Sequence, residues 1–467
     1  MKAKRYLMLP AVLTILSAII GCSSGGGGGA APPTTPPSSP AITSSGTSSG
    51  STAVFVDEVT GVSRAATPGS AGGGIGGQAT VALLTLPTVG NVVGAVTELQ
   101  TDEITTSLDS ISGTTVDPAH DIGMAFDYYN ASVSFFQIST LNEVAFFDTG
   151  VTSTIFFSGG GGNIVGAIMN PDTQTVIIAT ADGYKVIDYS TPAMPAELFT
   201  IPNYMSDPSG IELNENFGFH PALEITGDGT RDLILSGGMG DGGVNSLELA
   251  DSRTGDVFKP DAATQALFTH SSYIDAVSVD VNYHVAVLAP EFDTKTVLVD
   301  LSKLSLDTGA DTFSLPPSAV NEVDIGAFEM TNISVESSSH LVMLGEGYGG
   351  TKFLVGELND PAGASGLEFA RLLDTPVQMP SSTSGSWSGS RDPHGTGAYV
   401  TGVKHDTKPS TAMGVWAGTL GFGNPAIAVI DLDAVLTGAL ADPAGYDPTA
   451  ATPYDIGYFE ITPPVAP

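Results

Sequence analysis

The side chains best suited to proton transfer or metal binding in this sequence belong to its seven histidines. Four of them come shortly before segments with β-strand character: His120, His220, His270 and His394. Clustered histidines and aspartates can hold a metal ion or act as a general base, because imidazole changes protonation near neutral pH. The spacing from each histidine to its strand differs. Two hypotheses therefore remain: the four histidines share one ligand-binding site, or each has a separate structural role. His284 and His340 occupy turn positions, where we expect exposure.

A second candidate site is the segment EITGDGTRDL, residues 224–233. It resembles the calcium loops of FG-GAP and VCBS propeller repeats, which follow the pattern D-x-[DN]-x-D-G-x-x-D-L. Asp228 and Asp232 match that pattern, whereas Glu224 and Thr226 replace its first two acidic positions. The resemblance implies a Ca²⁺ ion held by these four residues, since calcium prefers hard oxygen ligands. The alternative is an Asp-Gly turn between two strands, which needs no metal.

Two further motifs lack the structural context that their chemistry requires. GTSSG (46–50) fits the nucleophile pattern G-x-S-x-G, but no strand or helix is predicted around it. GGGIGG (72–77) fits a dinucleotide-binding pattern, but a strand follows it instead of a helix. The sequence has no C-x-x-C-H motif for c-type haem. We therefore predict neither a haem nor a nucleotide cofactor.

Cys22 is the single cysteine of the 467-residue chain. Basic residues at positions 2, 4 and 5 precede an apolar run over 6–20, which is typical of a secretory signal and short for a membrane span. The order Ile19-Ile20-Gly21-Cys22 resembles the lipobox of bacterial lipoproteins. That resemblance implies a signal peptide over 1–21, lipidation of Cys22 with fatty acids such as palmitate, and membrane anchoring; Ser23 favours the outer membrane. The alternatives are a plain secretory signal that is cut a few residues later and a membrane anchor that is not cleaved.

The segment after the cysteine, residues 22–52, is rich in Ser, Gly, Pro and Thr and has little to bury, so we predict a disordered tether. Three of the 15 basic residues lie in the signal, which leaves 12 against 50 acidic residues and a net charge of −38. Such a field repels nucleic acid and anionic lipid, and it is compatible with divalent cations or cationic ligands. We therefore predict no nucleic-acid partner.

The remaining chain, 53–467, contains an irregular repeat. Each copy has a short strand, an acidic or Asn-led turn, an apolar strand, and a third strand that ends near an acidic residue. The clearest copies span 123–148, 166–188, 276–300 and 332–358, and their turns begin at Asp127, Asn170, Asp280 and Glu336. Weaker copies span 220–251 and 392–432, the segment 53–115 is a candidate seventh, and the tail 454–463 has strand character. These are the signals of meandering antiparallel strands.

The repeats resemble bacterial β-propellers of the YVTN or NHL-like kind, and DPHGTGAYVT (392–401) is the closest local match. The resemblance implies an all-β fold: a propeller of about six to seven blades, each an antiparallel four-stranded sheet. One blade of such a propeller often combines strands from both ends of the chain, which would explain the tail. A β-sandwich array or a β-solenoid is the alternative fold.

The function that fits these features best is a lipid-anchored binding or scaffolding module of the bacterial cell envelope, stabilised by calcium and recognising an envelope protein or an extracellular ligand. An enzyme is the less favoured interpretation. By analogy with related propellers, it would be a lactonase-like hydrolase that uses a His/Asp cluster at the channel mouth. A surface adhesin is the third alternative, and it would show exposed apolar patches.

Overall fold

Runs of β-branched and aromatic residues, separated by turns rich in Asp, Gly and Pro, form the strands of the computed structural model. The structure describes residues 113–202 and 222–381 apart from short gaps, separate strands within 52–108, and most of 386–461. Within that part of the chain, no helix is long and apolar enough to cross a membrane. Residues 1–51, with the predicted signal, Cys22 and most of the tether, lie outside the described residues.

Six sheets follow one another along the chain, and we call them blades 1–6. Before them come β1 (Thr52–Phe55), β2 (Thr80–Leu83), β3 (Thr97–Leu99) and β4 (Asp102–Thr105). Blade 1 contains β5 (Gly113–Asp117), β6 (Ile122–Asp127), β7 (Ser132–Gln137) and β8 (Asn142–Asp148). A hairpin of β9 (Ile155–Phe157) and β10 (Gly160–Gly162) follows. Blade 2 contains β11 (Ile164–Asn170), β12 (Thr175–Thr180), β13 (Gly183–Asp188) and β14 (Ala196–Pro202).

The central blades share this meander and carry one insertion. Blade 3 contains β15 (Ala222–Ile225), β16 (Asp232–Gly240), β17 (Val244–Asp251) and β18 (Val257–Pro260), and helix α1 (Ala262–Gln265) follows it. Blade 4 contains β19 (Ile274–Asp280), β20 (Val285–Pro290), β21 (Lys295–Asp300) and β24 (Val320–Asp324). Between β21 and β24 the chain forms an inserted hairpin of β22 (Ser305–Asp307) and β23 (Thr312–Ser314), and β23 extends the sheet of blade 3 by pairing in parallel with β18.

The last two blades complete the series. Blade 5 contains β25 (Met330–Glu336), β26 (Leu341–Glu346), β27 (Lys352–Leu358), β28 (Phe369–Leu372) and β29 (Val377–Gln378). Blade 6 contains β30 (Trp387–Gly389), β31 (Tyr399–Thr401), β32 (Met413–Leu420), β33 (Asn424–Asp431), helix α2 (Leu432–Ala441) and β34 (Ile456–Ile461). Single turns of 3₁₀ helix span Pro118–His120, Leu301–Lys303 and Pro317–Ala319.

Blade 6 joins the two ends of the β domain. Its fourth strand, β34, pairs with β33 on one side and in parallel with β3 on the other. The tail is therefore a strand, as its sequence predicts. The candidate seventh repeat over 53–115 is instead divided: β1, β2 and β4 form a separate three-stranded sheet, β3 joins blade 6, and β5 belongs to blade 1.

The hydrophobic core lies between neighbouring blades. Met124 and Phe135 of blade 1 pack in one cluster with Val176 of blade 2, and the larger cluster of blades 4–6 includes Val287 and Trp416. Each sheet is apolar on both faces, so it must be covered by the sheets before and after it. Successive four-stranded antiparallel meanders that pack face to face in this way form a β-propeller, which confirms the predicted fold.

One predicted repeat boundary is wrong. The turns at Asn170, Asp280 and Glu336 connect the first strand of a blade to the second, as expected, but the turn at Asp127 follows β6, the second strand of blade 1. The first strand of that blade is β5, which ends at Asp117. A similar acidic turn can follow either strand of a meander, so the sequence pattern alone selects the wrong strand.

Candidate functional site

The first strands of blades 1, 2, 4 and 5 end in the same kind of turn. The residues that end these strands are Asp117, Asn170, Asp280 and Glu336. In each turn the side-chain oxygen accepts backbone N–H groups two or three residues later; Asp280 Oδ1, for example, accepts from Asn282 at 3.0 Å and Tyr283 at 2.9 Å. We call the face at which first and third strands end the turn face, and the opposite face the connector face.

A second contact fixes each of these turns. The residue four positions after each strand end has a positive φ, between 52° and 61°. Its carbonyl faces the third strand of the same blade. These residues are Asp121, Gln174, His284 and His340. Gln174 thus accepts a hydrogen bond from the backbone of Tyr189 at 2.9 Å, and His284 from that of Leu301 at 2.8 Å. The turn face is therefore built from closed, repeated turns that are tied to their own sheets.

His120 is the predicted histidine that the structure describes, and it belongs to the first of these turns. Its Nδ1 lies 2.7 Å from Oδ2 of Asp117, a carboxylate that is completely buried. The hydroxyl of Tyr189, from blade 2, donates to the same oxygen at 2.5 Å. Burial, followed by the bond to Asp117 and the charge of that carboxylate, raises the pKa of Tyr189. Tyr189 therefore remains a proton donor and connects the two blades.

Asp232, a predicted calcium ligand, lies in the boundary between blades 2 and 3. Its Oδ2 accepts hydrogen bonds from Nδ2 of Asn170 at 2.7 Å and from Nε of Arg253 at 2.8 Å. Its Oδ1 is buried, and no residue in the described part of the chain forms a hydrogen bond with it. Glu224 lies on β15, where its side chain is not described, and Thr226 and Asp228 lie outside the described residues.

The boundary between blades 4 and 5 contains a buried aspartate, a histidine and a stacked tyrosine. Oδ2 of the buried Asp280 lies 2.8 Å from Nδ1 of His340. The ring of Tyr283 stacks on that imidazole with centroids 3.5 Å apart and planes 4° from parallel. Burial, then the charges of Asp360, Asp280 and Glu357, raises the pKa of Tyr283. The expected exposure of His340 is wrong: its side chain is 21% exposed, because it is enclosed by these partners.

The other candidate histidines, His220, His270 and His394, lie outside the described residues, so their convergence with His120 stays a prediction. His284 is half-buried in its turn. Across the described ranges, no three His, Cys, Asp or Glu side chains are placed to share a metal ion. Sequence reasoning missed Tyr189 and Arg253, which are far from their partners along the chain.

The comparisons with known proteins concern the fold alone. No protein-family model matches the sequence, and neither does any curated protein. Among solved structures, the β-propeller domain of Cps50 (Swd1) from Myceliophteria thermophila is 12% identical, with a TM-score of 0.46 over 80% of this chain and 95% of that one. A chain of the mitotic checkpoint complex is 10% identical, with a TM-score of 0.38 over 69% and 78%.

A third solved structure, dihydro-heme d1 dehydrogenase NirN in complex with DHE, is 16% identical, with a TM-score of 0.38 over 68% of this chain and 53% of that one. The sheet order and the core of this chain themselves identify it as a propeller.

Proposed function

We propose that this protein is a binding or scaffolding module of the bacterial cell envelope that recognises its partner through the turn face. The observation that carries this proposal is the set of bonds between blades at Asp117, Asn170 and Asp280. They hold adjacent turns in fixed relative positions while leaving polar side chains at the surface. A surface ordered in advance loses little conformational entropy on binding.

The charge of the chain points to a cationic partner. The net charge is −35, and the Lys and Arg residues in the described ranges that form ion pairs include Lys185, Arg253, Lys295, Lys303 and Arg371. Positive charge is thus largely neutralised within the chain. Exposed carboxylates on the turn face, such as Asp172, Asp256 and Asp360, are left to attract basic groups.

The test compares two triple variants of equal charge change. The first replaces Asp172, Asp256 and Asp360 of the turn face with Asn. The second replaces the exposed Asp148, Asp324 and Asp374 of the connector face with Asn. Binding of a decalysine peptide is measured by calorimetry at low ionic strength. We expect the first variant to bind several-fold more weakly than the second, because close charges act more strongly than distant ones. Equal losses would mean that only net charge matters and would contradict the proposal.

The location at the envelope depends on Cys22 and is tested separately. Cys22→Ala removes the thiol that lipidation requires. Because the proposed anchor depends on this one residue, the variant should be released from membranes. Fractionation of cells that express the parent and the variant would show this directly, with separation of inner and outer membranes to test the predicted outer-membrane location. A variant that stays in the membrane fraction would overturn the anchor.

A structural calcium ion is part of this proposal, and the observation that favours it is the buried Oδ1 of Asp232 without a described partner. The guanidinium of Arg253 on the other oxygen opposes it, because it repels a cation. A ligand that binds only the folded state raises the melting temperature. We expect Ca²⁺ to raise it relative to chelator in the parent and not in Asp228→Ala; no shift in the parent would remove calcium from the proposal.

The alternative function is a lactonase-like hydrolase, and the observation that favours it is the Asp117–His120 pair. A buried carboxylate that holds one imidazole nitrogen is how general-base histidines are oriented. If this alternative holds, purified protein hydrolyses a panel of lactones and esters, and His120→Ala abolishes the turnover. Turnover that is equal in parent and variant would exclude His120 as the base.

A further inference from the structure

His120 and His340 make the same contact to a buried aspartate but serve different purposes. His340 bonds Asp280 across a blade boundary and lies under Tyr283. His120 bonds Asp117 of its own turn, and the contact between blades is supplied by Tyr189 instead. The side chain of His120 is 38% exposed, compared with 21% for His340. The fold therefore does not need His120 to join two blades, yet holds it in one orientation.

The contact to Asp117 determines what His120 offers to solvent. A carboxylate accepts hydrogen bonds, so the nitrogen that faces Asp117, Nδ1, carries the proton in the neutral imidazole. The other nitrogen, Nε2, then carries the lone pair and is a hydrogen-bond acceptor. No residue in the described part of the chain bonds Nε2. The turn face thus presents a fixed acceptor.

We propose that His120 is a specificity-determining contact of the turn face, where its Nε2 accepts a hydrogen bond from an ammonium or guanidinium group of a basic partner. This inference rests on the proposed function and names one point of recognition within it. The partner group must donate, because Nε2 accepts, and the acidic surface favours a donor that carries positive charge. Asp117 acts through His120 as a positioning residue, since it is buried and cannot meet the partner.

The experiment follows the imidazole itself. Full-length protein labelled with ¹⁵N in histidine is titrated with the decalysine peptide, and the His120 resonances are assigned by their loss in His120→Ala. We expect the Nε2 resonance of His120 to move during the titration while Nδ1 stays protonated. His120→Ala should weaken peptide binding by about tenfold, the factor that one charge-assisted hydrogen bond supplies.

A matched control separates recognition from general loss of charge or fold. Gln378→Ala removes one exposed polar side chain from the connector face and should leave the affinity unchanged. Asp117→Asn keeps His120 but replaces one of the two accepting carboxylate oxygens with an NH2 group that donates, so the tautomer is fixed less firmly; the affinity should fall and the Nδ1 and Nε2 signals should mix.

The outcomes distinguish this inference from the function on which it rests. Peptide binding with an unmoved Nε2 signal, or with equal affinities in the parent and His120→Ala, would overturn the role of His120 and leave the acidic binding face in place. Absence of any peptide binding would overturn both. A signal that moves with Zn²⁺ but not with the peptide would identify His120 as a metal ligand and refute the inference.

Discussion

Asp117, Asn170 and Asp280 occupy the same position in three blades, yet each contacts a different residue type in the next blade. Asp117 accepts from a tyrosine, Asn170 donates to an aspartate and Asp280 pairs with a histidine. The repeated feature is therefore a buried polar side chain at the end of the first strand. In each case one side chain of the next blade is long enough to form a hydrogen bond with it. The matching matters because a buried polar group without a partner is costly.

Tyr189→Phe tests the first of these contacts. The change removes the tyrosine hydroxyl that donates to the completely buried Asp117, and it alters the side-chain volume little. We therefore expect the free energy of unfolding, measured with denaturant, to fall by about 1–3 kcal/mol. His120→Gln, which removes a partly exposed partner of the same carboxylate, should cost less. A greater loss in His120→Gln would mean that the contact between blades is not the main support of Asp117.

Arg253→Met tests the second contact. The change keeps the aliphatic part of the side chain but leaves the carboxylate of Asp232, which is completely buried, with Asn170 as its remaining described partner. A fully buried ion pair that loses one partner costs about 3–5 kcal/mol, and the 28% exposure of Arg253 reduces this to about 2–3 kcal/mol. The double change with Asp232→Asn should recover part of the loss; no recovery would contradict the ion-pair explanation.

At the residue scale, the sequence predicts contacts between side chains a few positions apart but not contacts between distant segments. The turn Asp117-Pro118-Ala119-His120 is readable, since its two polar side chains are three residues apart. The contact of Asp232 with Asn170 spans 62 positions, and nothing in either segment predicts it. The sequence therefore predicts a role for Asp232 only within its own loop, as a calcium ligand, whereas the structure places it between blades 2 and 3.

At the scale of elements, the connection between the third and fourth strands of a blade reaches back to the blade before it. In blade 4 the inserted β23 pairs with β18 of blade 3. In blade 5 the carbonyl of Leu367 accepts a hydrogen bond from Asn321 of β24 at 2.8 Å. In blade 6, Asp433 of α2 pairs with Arg371 of β28 at 3.0 Å. These connections add contacts between blades that the repeat pattern does not contain.

The edge strands explain why exposed apolar residues on the rim need not promote association. β8, β14 and β28 each contain a register irregularity, which disrupts pairing with a further strand. In β14 the extra residue is Leu198, between the paired Glu197 and Phe199, and it is 51% exposed. This exposure is a consequence of the bulge, so it carries little weight for the adhesin alternative.

The cap of α1 gives a prediction with a pH dependence. Asp261 accepts from the backbone N–H of Thr264 at 2.7 Å, and this bond lowers the pKa of the carboxyl. Because the folded pKa is depressed, the stabilisation is present above the ordinary pKa of about 4 and is lost as the pH falls through the folded value. Asp261→Ala should cost about 1 kcal/mol at neutral pH.

The control for the cap is Asp261→Asn, which keeps an acceptor but does not titrate. Denaturant unfolding between pH 7 and pH 3 should show the difference between the parent and the Asn variant shrinking as the pH falls. A difference that stays constant over this range would show that the charge of Asp261 does not contribute.

Gly123 tests the packing within a sheet. It lies opposite Phe136 in blade 1, and a Cβ at this position would lie 2.2 Å from Cε2 of that ring. Phe136 is completely buried, so its ring is enclosed by neighbouring side chains. Gly123→Ala should cost about 1–3 kcal/mol in denaturant unfolding. Gly309→Ala, in an exposed turn whose nearest atom would be 3.3 Å away, should be nearly neutral; equal losses would refute the packing argument.

At the scale of the whole molecule, the propeller and its repeats could be predicted because blades 1, 2, 4 and 5 share one alternation of strands and polar turns. The composition of blade 6 could be predicted only in part. The tail from Ile456 has a strand pattern, but its parallel partner β3 is three residues long and more than 350 positions earlier in the chain. The division of 53–115 among three sheets has no sequence signal, because strands this short bury too little to define their partners.

Removal of the last strand tests how far the propeller depends on blade 6. Ile456 and Tyr458 of β34 are buried in the cluster that unites blades 4–6, so a chain that stops at Asp455 exposes this core and leaves β33 and β3 without their shared partner. We expect that chain to lose its cooperative melting transition and become sensitive to protease. A chain that stops at Ile461 keeps the whole strand and should melt like the parent. If both truncated chains show the same cooperative melting transition, β34 is not required for folding and blades 1–5 maintain the fold without it.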